Sequence, residues 1–256
     1  VMARSFYGST QYLQIANKFI SGFPFSISLS FRTSNTTTLQ RPFQIYKSGT
    51  GGVYIFTVNL RGDLASKYVD AQENPGNLAQ TSTQFSANTW HHVLAVFASA
   101  ASRTIYLDGG GKGTNTTAGS AISQVDSCII GSGWDGGSGV LSSQFNDSVS
   151  EVGIYGAALT DSDAVSLADS YTPLEIRPDA LLAYYPLGGH YGQFDLDRWK
   201  NRYDFTAYNS PTWAEHSRVI YPAIGGVWPL SVAAAGGGGI AKPALFNSHY
   251  QNQGWL

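Results

Sequence analysis

An all-β, antiparallel sandwich with one short helix and a C-terminal extension is the fold class this sequence predicts, on three observations. Apolar and polar residues alternate with period two over several short runs, the mark of strands with one buried face. Clusters of Gly, Asn, Ser and Pro separate those runs at short intervals, as a sandwich or barrel requires. Charged residues make up only 12% of the 256 residues, so neutral polar side chains and turns must carry much of the solvation. That length suits one large sandwich with an appended arm, or two small domains.

Residues 12–15 open the series of strands, and 25–32 is its clearest member. There Phe25, Ile27, Leu29 and Phe31 point one way and Ser26, Ser28, Ser30 and Arg32 the other, which predicts a half-buried strand. Residues 54–60 repeat the pattern behind a Gly-rich turn at 49–52, with Tyr54, Phe56, Val58 and Leu60 inward. Strands follow at 92–97, 104–107, 128–130 and 149–155. Cys128, the single cysteine, has no internal disulfide partner and reads as a buried strand residue. One segment breaks the β rhythm. Thr160, Asp161, Ser162 and Asp163 can cap a helix over 161–170, with Ala164, Leu167, Ala168 and Tyr171 at helical spacing before Pro173 ends it. Beyond Pro178 the composition turns to aromatics, Gly and Pro, and the Ala/Gly run at 233–239 reads as a flexible joint.

The net charge is −2 with Lys and Arg scattered singly, which excludes the continuous basic strip that nucleic acid requires. No apolar run approaches the ~20 residues that span a bilayer, and the first residues lack the basic-then-apolar pattern of a secretory signal. The expectation is a protein made in the cytoplasm, with no membrane insertion. Glycan-cleaving sandwiches need two carboxylates about 5–10 Å apart. The glutamates are Glu73, Glu151, Glu175 and Glu215, and Asp147 with Glu151 on one extended strand would stand roughly 13 Å apart. Glu151 therefore reads as a structural strand-end residue, and no catalytic residue is predicted. No Gly-x-Ser-x-Gly or phosphate-loop pattern occurs.

His91 and His92 are adjacent strand residues that face opposite sides of a sheet, so they cannot share one ion. Asp108, Asn115, Asp135, Asn146 and Asp147 are oxygen donors in predicted loops, the weak candidates for Ca²⁺. Their spacing fits no calcium loop, and Asp and Asn in turns otherwise bond their own backbone. Trp134, beside Asp135, Gly136 and Gly137, fits a glycan-facing aromatic at a turn; it fits a packing anchor as well.

Four segments, taken in order, resemble laminin-G-like domains of the concanavalin A-like jelly-roll class. They are Ser5-Phe6-Tyr7-Gly8-Ser9, Trp90-His91-His92-Val93, Tyr106-Leu107-Asp108-Gly109 and Ser150-Glu151-Val152-Gly153-Ile154-Tyr155. Over roughly residues 4–172 the resemblance implies an early strand, a central strand, a hairpin end, and a strand leading into a short helix. The family's opening strand, of the type Leu-Val-Ala-Tyr-Tyr-Pro-Leu, is missing from the N-terminus. Residues 180–189, 201–205 and 210–213 resemble it, moved behind the helix. The expected organisation is a sandwich over 1–176, a displaced segment over 177–218 that pairs with it, and an aromatic, Gly-rich arm over 219–256. A sandwich short of its first strand leaves an unpaired edge; the displaced segment would close it within the chain or across subunits.

The missing leader together with residues 218–222 also resembles virion proteins of tailed bacteriophages. That resemblance implies a non-enzymatic head-decoration or tail-associated subunit, located in the virion, whose partners are further copies of itself and other virion proteins. A carbohydrate-binding module or lectin-like adhesin reading surface glycans is the alternative. Tyr221, Trp228, Phe246, Tyr250 and Trp255 are the expected interface anchors of the arm. No cofactor is predicted, Ca²⁺ alone being left open.

Overall fold

The computed structural model describes residues 2–220 except 8–9, 18–19, 49–54, 65–66, 74–75, 120–124, 136–139, 189–196 and 200–202. In chain order the strands are β1 (Met2–Phe6), β2 (Tyr12–Ile15), β3 (Phe25–Arg32), β4 (Leu39–Tyr46), β5 (Ile55–Arg61) and β6 (Tyr68–Glu73). Then come β7 (Asn77–Gln80), β8 (His91–Ser99), β9 (Ser102–Leu107), β10 (Gly110–Asn115), β11 (Ser127–Ile130), β12 (Gly133–Asp135), β13 (Val140–Ser142) and β14 (Asp147–Tyr155). The helix α1 (Asp161–Ala168) precedes β15 (Leu181–Tyr185), β16 (Thr206–Tyr208) and β17 (Thr212–Glu215).

Two antiparallel sheets face each other. One runs β10-β9-β8-β3-β14-β1-β17, with β15 also on β14; the other runs β16-β2-β11-β4-β5-β6-β7, and β12 and β13 form a separate hairpin. This is the all-β jelly-roll sandwich with one short helix that the periodicity and the resemblance predict. The inward residues of β3 and β5 meet as expected: Phe25 stacks on Phe97 at 4.8 Å, and Phe56 stands edge-on to both at 5.4 Å. Such edge and offset contacts suit the quadrupoles of the rings. Tyr54 lies outside the described residues.

The face of β3 predicted to be wet is covered. Ser26 and Ser28 are buried, because α1 and its approach lie over them. Ser26 Oγ donates to the Ala157 carbonyl at 2.7 Å and accepts from the Leu159 N–H at 3.1 Å, which ties the start of the helix segment to the sheet. The β9–β10 turn follows from its residues: Asp108 (φ 52°) and Gly109 (φ 72°) occupy the left-handed pair that a two-residue hairpin turn requires.

Strand β14 is buried along its whole length. One flank pairs with β3, while the other is shared end to end by β1, at residues 147–149, and β15, at 152–155. The register against β3 breaks between Ser150 and Gly153, and Glu151 sits in that bulge at φ 53°. A bulge re-aims a side chain, and here it sets Glu151 under the segment around His216. β16 pairs with β2 and β17 with β1. Residues 221–256, and with them the anchors Tyr221, Trp228, Phe246, Tyr250 and Trp255, lie outside the described residues.

Candidate functional site

The outer face of the seven-stranded sheet carries one transverse row that crosses every strand: Thr206, Gln14, Ile129, Gln44, Thr57, Gln72 and Leu78. A polar network surrounds it. Asn59 Nδ2 donates to Gln72 Oε1 at 2.8 Å, Arg41 Nε donates to Asn59 Oδ1 at 3.3 Å, and Arg61 bridges Asp63 at 2.9 Å and buried Asp70 at 3.3 Å. Burial raises the pKa of Asp70, and the bonds to Gln80 and Arg61 offset part of that rise.

The β12–β13 hairpin docks on this face, and Gln44 is the reason. Its amide oxygen accepts from the Trp134 N–H, and its Nε2 donates to the Trp134 carbonyl at 3.1 Å, so one side chain does the work of a neighbouring strand. The Trp134 ring stacks on Tyr46, 5.5 Å between centroids and 25° between planes. Burial pushes the Tyr46 phenol up to about 12, so it stays neutral. Beneath the hairpin, Arg41 Nη1 donates to Ser142 Oγ at 3.0 Å. Burial pulls the Arg41 guanidinium below its ordinary value, with the Asp135 carboxylate opposing. Trp134 is half-buried and Asp135 exposed. Trp134 is thus a packing anchor on one side and still reaches solvent. The sequence singles out these two residues as candidates but carries no signal for Arg41, Gln44 and Tyr46, since only the fold brings β4 beneath 133–135.

The oxygen donors considered for Ca²⁺ are spread over unrelated roles. Asp108 Oδ2 takes His91 Nδ1 at 2.7 Å, and its Oδ1 accepts the His92 N–H at 2.9 Å. Asn115 Oδ1 accepts from Arg103 and from the Thr117 N–H, both at 2.8 Å. The Asn146 N–H donates to Gln40 Oε1 at 3.1 Å, and Asp147 Oδ1 accepts from Ser148 Oγ at 3.0 Å. Among the described residues no three His, Cys, Asp or Glu side chains gather as metal ligands. His91 and His92 diverge: His91 packs on Phe31 of the core, while His92 faces out to Ser28.

Glu151 is spoken for as well. Its Oε2 accepts from Tyr184 Oη at 2.7 Å, and its Oε1 lies 3.3 Å from His216 Nε2. Glu151 and Asp108, both on this side of the eight-stranded sheet, thus each hold structural partners from distant segments. Among the described residues no helix is long and apolar enough to cross a membrane.

Comparison with known proteins follows the same lines. A laminin G family model, described as the concanavalin A-like lectin/glucanases superfamily, matches residues 7–164. No curated protein matches the chain. Among solved structures, a native heptameric SAP-like pentraxin from Limulus polyphemus matches with TM-score 0.60 at 16% identity, over 84% of this chain and 95% of that one. A putative carbohydrate binding protein from Bacteroides ovatus matches with TM-score 0.59 at 18% identity, over 86% of this chain and 61% of that one. The CBM40 domain of the Ruminococcus gnavus IT-sialidase matches with TM-score 0.50 at 12% identity, over 66% of this chain and 98% of that one.

These findings correct the expectation of a phage head-decoration or tail-associated subunit, with virion partners and a virion location. That expectation rested on the character of the first residues and of residues 218–222, neither of which is a contact or a chemistry. The matches lead instead to lectin-type and carbohydrate-binding folds. The family model covers more than half of the sequence, and the chain belongs to the concanavalin A-like lectin/glucanases superfamily.

Proposed function

We propose that the chain works as a non-catalytic, lectin-like carbohydrate-binding module whose ligand lies against Trp134 on the outer face of the seven-stranded sheet. The carrying observation is a half-exposed indole fixed in place: Gln44 holds both of its backbone groups and Tyr46 backs its ring. A sugar stacks its C–H face on such a ring, while planar polar groups at the edge take its hydroxyls. Arg41 and exposed Asp135, whose charges attract each other, stand beside it. The fold shared with a putative carbohydrate binding protein and a CBM40 domain supports the reading.

A glycan array probed with the full chain tests it. A defined subset of glycans is expected to bind, with affinity falling at least about tenfold in Trp134→Ala and largely kept in Trp134→Tyr. Unchanged melting curves would show that both variants fold. A silent array, or binding indifferent to Trp134→Ala, overturns the proposal.

A further inference from the structure

The opposite side of the sandwich, the outer face of the eight-stranded sheet, holds a cavity that the glycan reading does not use. It is a cleft of about 140 Å³, lined from the sheet by Ser28, Ser30, Trp90 and His92 and from the other side by Tyr171 and Arg218 among others. At about 30 Å³ per molecule that is room for roughly five waters, or for one small organic molecule.

The polar atoms of this cleft are unbalanced. His92 is only 7% exposed, and its Nδ1 is buried without a partner; Trp90 Nε1 is likewise buried and without a partner. The ring of His92 is held from behind, where Nε2 lies 3.0 Å from Ser28 Oγ. Buried Ser28 has that nitrogen as its hydroxyl's one hydrogen-bond partner among the described residues. We assign the hydroxyl as the donor to Nε2, which leaves the proton of the neutral ring on Nδ1. Both orphaned atoms are then N–H donors. Leaving a buried donor unmet carries most of its desolvation penalty, so the complement of this cleft is an acceptor.

Two carboxylates, Asp108 and Glu151, also line the cleft. Asp108 gives one oxygen to His91 and the other to the His92 backbone, and Glu151 is held between Tyr184 and the His216 ring. At the mouth stands exposed Arg218, for which no ion pair occurs among the described residues. A carboxylate brings oxygens only, with one negative charge to meet the guanidinium.

We propose that this cleft binds a small carboxylate, held by His92 Nδ1–H and Trp90 Nε1–H within it and by the Arg218 guanidinium at its mouth. The charge of Glu151 is offset by the His216 ring 3.3 Å away, whose pKa that carboxylate helps to raise. The site stands whether or not the opposite face binds glycans.

The test is a titration of the full chain, labelled with ¹⁵N-histidine, against acetate and lactate, with acetamide and chloride as controls at matched ionic strength. The His92 ring resonance, identified by its absence in His92→Gln, is expected to shift saturably with the carboxylates at about millimolar affinity. Affinity should fall about tenfold in Arg218→Gln and in Trp90→Phe, which keeps an aromatic ring and loses the N–H. Arg218 is exposed, so its variant keeps the test valid should the buried ones fail to fold. Trp134→Ala should leave the titration unchanged. No saturable shift by about 50 mM carboxylate, an equal shift with acetamide or chloride, or full affinity in Arg218→Gln overturns the proposal.

Discussion

His216 and His92 lie on the same side of the eight-stranded sheet, and their neighbours dictate opposite charge states. His216 meets only acceptors: Nδ1 lies 2.7 Å from the Ser217 carbonyl, and Nε2 lies 3.0 Å from the Pro186 carbonyl and 3.3 Å from Glu151 Oε1. Both nitrogens must donate, so the ring is an imidazolium. Burial works against that charge, but the Glu151 carboxylate and the two carbonyls outweigh it and raise the pKa above 6.5. Burial pushes His92 down to about 4, with Asp108 opposing only in part. The two therefore tilt stability in opposite directions. The folded state keeps the His216 proton above pH 6.5 where the unfolded chain releases it, so this contribution is complete below 6.5 and fades as pH rises through the folded value. The folded state refuses the His92 proton where the unfolded chain takes it, so stability falls as pH drops from 6.5 toward 4, by roughly 3 kcal/mol in all. Thermal melts across pH should show the alkaline decline flattened in His216→Gln and the acid decline flattened in His92→Gln. Glu151→Ala, which strands a buried cation, should cost about 3 kcal/mol near pH 6, read by denaturant titration; a change under about 1 kcal/mol would mean the pair is not formed.

At the scale of elements, α1 shows local chemistry sufficient to place a helix. Thr160 accepts from the Asp163 N–H, Asp163 accepts from the Thr160 N–H, and Asp161 and Asp163 fill the first turn. That reciprocal cap and the favourable charge at the helix N-terminus are legible in four residues. Thr160→Ala should lower stability by about 1 kcal/mol in a denaturant titration, and Thr160→Ser should restore most of it. Strand β4 was illegible for an equally local reason. Pro42 lies within it and argues against a strand, yet it falls in the register break between Gln40 and Phe43, where proline is tolerated. Strand β10, Gly110–Asn115, carries three glycines and no apolar alternation, and its pairing with β9 alone defines it.

Over the whole molecule, the chain beyond residue 176 completes both sheets. β15 and β17 extend the sheet containing β14, and β16 extends the one containing β2. Long-range side-chain contacts reinforce these pairings: the Arg4 guanidinium lies 3.9 Å over the Trp213 ring and donates to the Pro211 carbonyl at 3.1 Å. Tyr184 and His216, which hold Glu151, come from the same stretch. Ending the chain at residue 176 should uncover the flanks of β14, β1 and β2, strip Glu151 of both partners, and yield a protein that aggregates or melts at lower temperature. A truncated chain with the melting curve of the full one would show that these strands add nothing to the fold.

By itself the sequence determined the elements whose signal is local, the alternation in β3 and β5 and the Thr160 cap, and with them the all-β class; the hairpin end at Asp108-Gly109 and the kind of sandwich came from the family resemblance. Period and turn chemistry depend on neighbours within a few residues, so one chain suffices to read them. It also contained Trp134 and Asp135, but not their surroundings. Only the tertiary structure decided that Gln44 and Tyr46, some ninety residues away, would seat that indole. Only it decided that the serine face of β3 would be roofed, and that His92 and Trp90 would each bury a donor with nothing to bond. Whether a polar atom is satisfied depends on which distant groups share its space. No spacing along the chain encodes that, because the partners are chosen by the packing of two sheets and not by their separation in sequence.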